Sequence, residues 1–193
     1  YPVLRSLATL AHQGRRQPFF RRELLAALVI VDKGWAEPSD LVGSWAGAMG
    51  VFQFIPSTMR HYAVDHDGDG WRDIFNNGAD AFASAANYLD KARWRSDEPW
   101  GMPVEVPKGF ASKADGSRTW RKPAAWQELG FKEAEKLNCS EADLVVAGDG
   151  SEPAFLVCRN FKTLMRWNRS TWFALTVGQL ADRIAEAGSQ DQM

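Results

Sequence analysis

The acidic segment from Asp65 to Asp73 has the most specific side-chain pattern in this 193-residue sequence. It reads DHDGDGWRD, so its four carboxylates follow one another at spacings of two, two and four residues. Counted from Asp65, they fall at positions one, three, five and nine, and Gly70 falls at position six. This order matches the front of an EF-hand loop, where oxygen ligands surround Ca²⁺ and a glycine permits the sharp turn. The spacing therefore predicts a Ca²⁺ site.

The predicted ligands of this site are six residues: Asp65, Asp67, Asp69, Trp71 through its main-chain carbonyl, Asp73 and Asp80. The departure from the EF-hand pattern is at position twelve, where Asn76 replaces the bidentate glutamate. Asp80, four residues later, would supply the last ligand directly or through water. Loss of that glutamate predicts weak binding, with a Kd of roughly 10⁻⁴ to 10⁻³ M. The alternative is a turn of solvated aspartates, although four like charges in nine residues repel one another.

A second unusual stretch precedes the acidic loop and is rich in small residues. Five of them allow the backbone to approach a neighbouring helix or a ligand closely: Gly43, Ala46, Gly47, Ala48 and Gly50. The stretch continues into Gln53-Phe54-Ile55-Pro56-Ser57, and Pro56 is expected to begin a short helix.

Composition excludes several classes of function. There are 23 basic and 24 acidic residues, so the chain has no basic excess for nucleic acid or an anionic membrane. No apolar run approaches the roughly 20 residues that span a bilayer. The nine tryptophans suit either a core or the apolar faces of sugar rings. The first residue is tyrosine, so the sequence leaves open whether a leader precedes it.

Helical periodicity at both ends of the sequence predicts a mainly α (α+β) fold. Helices are expected at about 4–11, 18–31, 56–63 and 80–93, and after a cap at Asn168 or Ser170. The expected buried stripes are Phe20, Leu24, Leu25, Leu28 and Val31 in the second helix, and Phe82, Ala85, Ala86, Leu89 and Ala92 in the fourth.

Glycine, proline and short β-type runs become frequent after residue 98. We expect strands at 104–106, 144–146 and 154–157, and a helix at 124–137. The predicted organisation is a helical core at 1–98 that includes the metal loop 65–76, a small mixed α/β insertion at 99–160, and a C-terminal helix at 161–193 that returns to the core. Cys139 and Cys158 lack zinc-site spacing; they form a disulfide in an oxidising compartment or remain two buried thiols.

Seven motifs spread along the chain belong together in one known family. They are YPVL at 1–4, LATL at 7–10, SWAGAMG at 44–50, QFIPST at 53–58, YAVD at 62–65, DGDG at 67–70 and ANY at 86–88. NF at 160–161 and WNRS at 167–170 extend the likeness almost to the end. On these motifs the chain resembles the lytic murein transglycosylase B family.

The resemblance implies a lysozyme-like helical core, an EF-hand-like structural Ca²⁺ loop, a smaller appended domain and no organic cofactor. It implies an enzyme that cleaves the β-1,4 bond between N-acetylmuramic acid and N-acetylglucosamine in peptidoglycan without water. One glutamate protonates the leaving oxygen and then deprotonates the muramoyl 6-hydroxyl, which closes a 1,6-anhydro ring. The expected partners are peptidoglycan glycan strands and not nucleic acid, the expected state is a monomer, and the expected location is the periplasm or cell envelope.

The same resemblance places the catalytic glutamate upstream of Tyr1, so we expect no catalytic residue within this chain and no chemistry from it alone. The implied substrate-binding residues are Ser44, Gln53, Tyr88 and Trp167. Lys162 stands where an aromatic residue is expected. Tyr88 would alternatively pack between helices, and Gln53 would alternatively bond only the backbone.

Glycoside chemistry needs one or two carboxylates at the scissile bond, and the glutamates of this chain are poor candidates. None lies in the small-residue stretch. Surface charge is the favoured interpretation for Glu23, Glu37, Glu98, Glu105, Glu128, Glu133 and Glu135. The alternative functions are therefore a non-catalytic, Ca²⁺-stabilised peptidoglycan-binding module, a hydrolase on the same scaffold and, least favoured, a Ca²⁺ sensor.

Overall fold

The computed structural model describes residues 1–13, 16–110, 119–146 and 153–190. In these ranges the chain forms seven α-helices, one 3₁₀-helix and a three-stranded sheet. The chain divides into two compact units, Tyr1–Tyr88 and Leu89–Met193. The predicted mainly α (α+β) fold is confirmed, whereas the three-part division with boundaries near residues 98 and 160 remains a prediction.

The first unit is helical and contains α1 Val3–His12, α2 Gln17–Asp32 and α3 Pro56–Tyr62. A fourth helix, α4 Gly78–Lys91, belongs to this unit up to Tyr88. Proline occupies the first turn of α2 and of α3, where a missing N–H costs no helical hydrogen bond. Just past α2, Gly34 has a φ of +66°, the left-handed conformation in which many helices end.

The buried faces of α2 and α4 differ from the predicted stripes. In α2 the core side is formed by Phe20, Glu23, Ala26, Ala27 and Ile30, whereas Leu25 and Leu28 are each 47% exposed. In α4, Ala81, Ser84 and Ala85 are buried and Phe82 is 68% exposed. Small side chains let these helices approach their neighbours closely, so residue size is a poor guide to the buried face here.

The second unit is built around an antiparallel sheet in the order β1-β3-β2. Its strands are β1 Gly101–Val104, β2 Asp143–Val146 and β3 Ala154–Val157, and Val157 lies opposite both Gly101 and Asp143. All four residues of the central strand are buried. Phe155 and Val157 face a cluster with Trp100 and Phe161, whereas Ala154 and Leu156 face a cluster with Trp126 and Phe131. The strand alternation therefore supplies two small cores.

Helices α5 Pro123–Glu128, α6 Arg159–Trp167 and α7 Thr171–Gln190 complete the second unit. The single helix predicted at 124–137 is wrong: Gly130, with a φ of +96°, separates α5 from a 3₁₀-helix at Lys132–Lys136. The strand predicted at 104–106 instead lies earlier, at Gly101–Val104. It is an edge strand, a position that tolerates Pro103. The hydroxyl of Ser170 accepts the Phe173 N–H at 3.3 Å, which confirms the predicted cap of α7.

Cys139 and Cys158 form a disulfide across a sequence separation of 19 residues. The bond joins the segment before β2 to the residue that precedes α6, so the structure contains the first of the two alternatives for this pair. None of the helices in the described ranges combines the length and apolarity that a membrane span requires.

Candidate functional site

The small-residue stretch folds back on itself as a tight loop from Gly43 to Phe54. Single β-bridges pair Gly43 with Met49 and Met49 with Phe54, and the Met49 N–H donates to the Phe54 carbonyl at 2.8 Å. A Cβ at Gly47 would lie 2.6 Å from the Leu7 Cδ2 atom of α1. The close approach at Gly47 is therefore to a helix, which fixes the loop against α1.

Ser44 lies at the start of this loop. Its hydroxyl oxygen accepts the N–H groups of Ala46 and Ala48, at 3.3 and 3.0 Å. Because those two bonds use the oxygen as an acceptor, its own proton can be donated to another oxygen. The geometry gives Ser44 a fixed position and a donor for a ligand.

Gln53 lies at the end of the loop in a strained conformation. Its φ is +54°, in the left-handed region that residues other than glycine rarely adopt. The side-chain Nε2 donates to the Gly50 carbonyl at 3.1 Å, and the residue is exposed. The amide thus bonds the backbone, as one interpretation of the sequence expected, while its geometry leaves a second N–H for a ligand.

Tyr88 lies on α4 and is half-buried. Its ring packs edge-on against Tyr62, with centroids 4.9 Å apart, and lies 6.1 Å from the ring of Phe54. The neighbouring Asn87 donates from Nδ2 to the Tyr62 carbonyl at 2.9 Å, which ties α4 to the end of α3. Tyr88 therefore packs between helices and also lies beside the residue that follows Gln53.

Three of the four predicted substrate-binding residues thus belong to one substructure of the first unit. Ser44 and Gln53 are at the two ends of the bridged loop, and Tyr88 contacts Phe54 beside it. Trp167 is the last residue of α6 in the second unit and is half-buried. Their roles toward a sugar remain predictions.

The acidic loop is held closed by its own carboxylates. Asp65 accepts the N–H groups of Gly68 and Gly70, at 2.7 and 2.9 Å, and Asp67 accepts Asp69 N–H at 3.2 Å and the Asn77 amide at 2.7 Å. These bonds, with that of Asn77 first, lower the pKa of Asp67. The charged form of Asp67 is therefore the form that its hydrogen bonds favour.

Asp80 anchors this loop to α4. It is fully buried in the first turn of the helix, and its two carboxylate oxygens accept the N–H groups of His66 and Asp73 at 2.7 and 2.9 Å. The sequence placed Asp80 as a late ligand, but its hydrogen bonds show an additional role in closing both ends of the loop.

The donor set fits a hard divalent cation. Oxygens of Asp65, Asp67 and Asp80 all lie within 4.8 Å of one another. Two oxygens that bind one Ca²⁺ at about 2.3–2.6 Å are at most about 5 Å apart, so these three carboxylates can share one ion. Asp69 and Asp73 are not members of this cluster; they accept the N–H groups of Trp71 and of Phe75 and Asn76, respectively.

The sequence interpretation missed the structural role of Glu23. It is 3% exposed, so the predicted surface charge is wrong. Its Oε2 accepts Ser57 N–H and its Oε1 accepts the Ser57 hydroxyl, both at 2.9 Å. The carboxylate of α2 thereby satisfies donors in the first turn of α3. Its helical spacing with Phe20 and Ile30 was the signal that placed it on the buried face.

Glu98 is the second correction, because its side chain is 9% exposed rather than on the surface. Burial by itself raises the pKa of Glu98. Hydrogen bonds from the main chain and hydroxyl of Ser140 and from Arg95 outweigh that effect, so the pKa is lower than its ordinary value. The adjacent Asn160 is fully buried and bonds Arg95 N–H, the Arg95 carbonyl and the Glu98 carbonyl at 2.8, 2.7 and 2.7 Å. Both residues hold the turn after α4.

Known proteins share this architecture. A crystal structure of SltB3 from Pseudomonas aeruginosa in complex with NAG-NAM-pentapeptide has a TM-score of 0.87 and 43% sequence identity, covering 95% of this chain and 50% of that one. Escherichia coli Slt35 in complex with calcium has a TM-score of 0.79 and 29% identity, covering 96% of this chain and 60% of that one. Membrane-bound lytic murein transglycosylase B of Escherichia coli K12 is 34% identical over 97% of this chain and 52% of its own length.

The helical first unit with its acidic loop, joined to a small sheet-containing unit, is the fold of the lysozyme-like lytic transglycosylases. The model of the family described as Transglycosylase SLT domain matches residues 1–182. The chain belongs to this family. It spans about half the length of the curated relative that it matches.

Proposed function

We propose that this chain is the major part of a peptidoglycan lytic transglycosylase. The enzyme would cleave the β-1,4 bond between N-acetylmuramic acid and N-acetylglucosamine and leave a 1,6-anhydromuramoyl end. The observation that carries the proposal is the family match over residues 1–182. The structure of SltB3 with NAG-NAM-pentapeptide supports the substrate class, since 43% identity extends over 95% of this chain.

The loop Gly43–Phe54 and Tyr88 would form the binding half of the active site. The Ser44 hydroxyl and the Gln53 amide would donate to the N-acetyl group or sugar hydroxyls, Tyr88 would contact the sugar or position the acid, and Trp167 would contact the glycan. The acid and base would be one glutamate on the N-terminal side of Tyr1. In support, the buried Glu23 already has its carboxylate bonded to Ser57.

Digestion of sacculi by the full-length protein, followed by mass spectrometry, tests the reaction. We expect 1,6-anhydromuramoyl ends; reducing ends would identify a hydrolase and overturn the proposal. Gln53→Ala and Tyr88→Phe should lower kcat/KM by about tenfold to a hundredfold if their polar groups contact the transition state. Matched controls are Gln13→Ala and Tyr1→Phe, which change exposed residues of the same types.

A second candidate is a non-catalytic peptidoglycan-binding module. This candidate is favoured because Glu23, a buried glutamate of the first unit, uses its carboxylate to hold α3 and not to reach a ligand. Binding of undigested glycan strands by a full-length protein that releases no muropeptide would support this candidate. The protein would act in the periplasm or cell envelope as a monomer in either case.

We also propose that the acidic loop binds structural Ca²⁺ through Asp65, Asp67 and Asp80, with Asp69, Asp73 and the Trp71 carbonyl as further ligands. The carboxylate cluster and the calcium complex of Slt35 support it. The ion would neutralise the clustered charges and clamp α3 to α4. At a concentration ten times its Kd, it would add about 1.4 kcal/mol to the free energy of unfolding.

Calorimetric titration of the chelator-stripped chain tests this site. We expect a binding isotherm with millimolar or lower Kd and a higher Tm with Ca²⁺. Asp67→Asn should weaken binding, whereas Asp32→Asn, which changes an exposed carboxylate at the end of α2, should not. Absence of binding heat and of any Tm shift at several millimolar Ca²⁺ would refute the site.

A further inference from the structure

A basic cleft lies within the second unit, and its described lining includes none of the residues assigned above to sugar or metal. Its volume is about 670 Å³. Six cationic residues line it: Arg93, Arg95, Lys122, Arg159, Lys162 and Arg166. Among the residues that the structure describes, Glu141 is the one acidic residue in this lining. In a chain with almost equal numbers of acidic and basic residues, such a concentration is local.

Three of these cations form hydrogen bonds or ion pairs within the protein, so each has a structural role. Arg166 donates from Nη1 to the Ala92 carbonyl at 3.0 Å, Arg95 donates to Glu98 and to the Ser140 hydroxyl at 2.9 and 2.8 Å, and Arg159 pairs with Glu141. These bonds hold the cleft walls together. Because the carboxylate of Glu141 is paired with Arg159, it does not neutralise the other cations of the cleft.

The other three cations, Lys162, Arg93 and Lys122, add further positive charge to the cleft. Lys162 lies over the ring of Trp120, with Nζ 4.3 Å from its centroid. Within the described residues, the side chains of Arg93 and Lys122 form no hydrogen bond or ion pair. Neighbouring cations repel one another unless an anion lies between them.

Arg93 provides a separate observation, because its backbone is strained. α4 ends with Arg93 N–H bonded to the Asp90 carbonyl and Trp94 N–H bonded to the Leu89 carbonyl, at 2.8 and 2.9 Å. Arg93 has a φ of +72° at this turn, where helices usually place glycine. Arg93 also lines the cleft, so this arginine adds charge there at a backbone position that favours glycine.

We propose that the basic cleft binds a small ligand with two or more negative charges through its carboxylate, sulfate or phosphate oxygens. Guanidinium groups suit such oxygens because they offer paired N–H donors. A volume of about 670 Å³ admits a ligand of several to a few tens of atoms. The disulfide between Cys139 and Cys158 holds Ser140 and Glu141 beside the start of α6, and so maintains one wall. The site requires neither turnover nor the residues of the bridged loop.

NMR titration of the chain with sodium sulfate and, separately, with sodium succinate in low-chloride buffer tests the proposal. Sulfate represents tetrahedral oxyanions and succinate represents dicarboxylates. The anion that binds with the lower Kd therefore identifies the ligand chemistry. We expect saturable shifts at the amides around Arg93, Ser140 and Lys162, which weaken as chloride is raised. Shifts that are absent, non-saturable or spread over the surface would overturn the site.

The double variant Arg93→Gly/Lys122→Met should raise the Kd of the tighter-binding probe anion by at least about tenfold. Its fold is protected because glycine suits the φ of +72°, so we expect an unchanged or higher Tm. Arg21→Ala/Arg22→Ala removes the same charge from the exposed side of α2 and is the matched control. Equal weakening by both variants would show a general charge effect and reject the cleft.

Discussion

Gln53 shows at the residue scale how a binding loop can hold strain. A left-handed φ of +54° is unfavourable for any side chain with a Cβ, and glycine relieves it. Glutamine at this position is consistent with selection for its amide rather than for stability. The amide has one observed bond, to Gly50, and that bond orients it.

We predict that Gln53→Gly is more stable to unfolding than Gln53→Ala by about 1 kcal/mol, because both lack the amide and differ in the strain at φ +54°. Thermal or urea denaturation of the two variants measures this difference. Gln13 is the control: it follows α1 with a φ of −76°, so there the glycine variant should be the less stable one. The same sign at both positions would contradict strain at Gln53.

Glu98 predicts a pH dependence at the residue scale. Its pKa in the folded protein is below the ordinary value of 4.5, so the stabilisation is present above that pH and is lost as pH falls through the folded value. Glu98→Gln should lower stability at pH 7 by about 1–2 kcal/mol and converge with the wild type in acid. Urea denaturation from pH 7 to pH 3 measures the convergence. Glu128→Gln, an exposed control, should show a constant and small difference.

At the element scale, α3 depends on a side chain from another helix. It has seven residues and lacks a side-chain cap of its own. The carboxylate of Glu23 in α2 takes that place by bonding the N–H and hydroxyl of Ser57. Because Gln53 and Phe54 lie three and two residues before α3, this contact also holds the end of the bridged loop.

Replacing Glu23 by alanine should therefore cost about 2–4 kcal/mol, since a cavity replaces a buried side chain and two half-buried donors of Ser57 lose a charged acceptor. Denaturation of Glu23→Ala, Ser57→Ala and the double variant measures the coupling between the two residues. Glu37→Ala changes an exposed glutamate and should stay within about 0.5 kcal/mol. A Glu23→Ala variant as stable as Glu37→Ala would mean that the contact is not formed.

Several elements follow from the sequence, and the failures have physical causes. Caps and prolines predicted α2, α3 and α7, because those signals act within a few residues. Helix α6 was missed because two of its four buried residues, Asn160 and Thr163, are polar and interrupt the apolar pattern. Their burial depends on carbonyls 62 to 71 residues away in sequence.

The candidate site was predictable to a similar extent. The spacing of the acidic loop identified Asp65, Asp67 and Asp80, which the structure brings within 4.8 Å. Ser44, Gln53 and Tyr88 were predicted through the family resemblance, since no spacing rule connects them, and their roles toward a sugar stay predictions. Glu23 and the basic cleft were not found, because each is assembled from segments that are distant in sequence.

At the scale of the whole molecule, each unit has a separate means of stabilisation. The second has the disulfide between Cys139 and Cys158, and the first would have the Ca²⁺ that we propose for the acidic loop. A disulfide persists in an oxidising compartment, which agrees with the proposed periplasmic or envelope location.

Reduction should lower the stability of the second unit. The bond closes a loop of sequence separation 19, for which chain entropy predicts about 3 kcal/mol. Calorimetry with and without a thiol reductant should show a lower Tm for the reduced wild type. The Cys139→Ser/Cys158→Ala variant should unfold near that lower temperature and not respond to reductant. A wild type indifferent to complete reduction would contradict the estimate.

The bond between Glu23 and Ser57 also has a consequence for the order of folding. A seven-residue helix is too short to persist by itself in water, and its first-turn donors find their acceptor 34 residues earlier in the chain. α2, with 16 residues, must therefore be in place before α3 gains its full protection. Pulse-labelled hydrogen exchange during refolding should then record α2 amides as protected first, with α3 following when Glu23 meets Ser57.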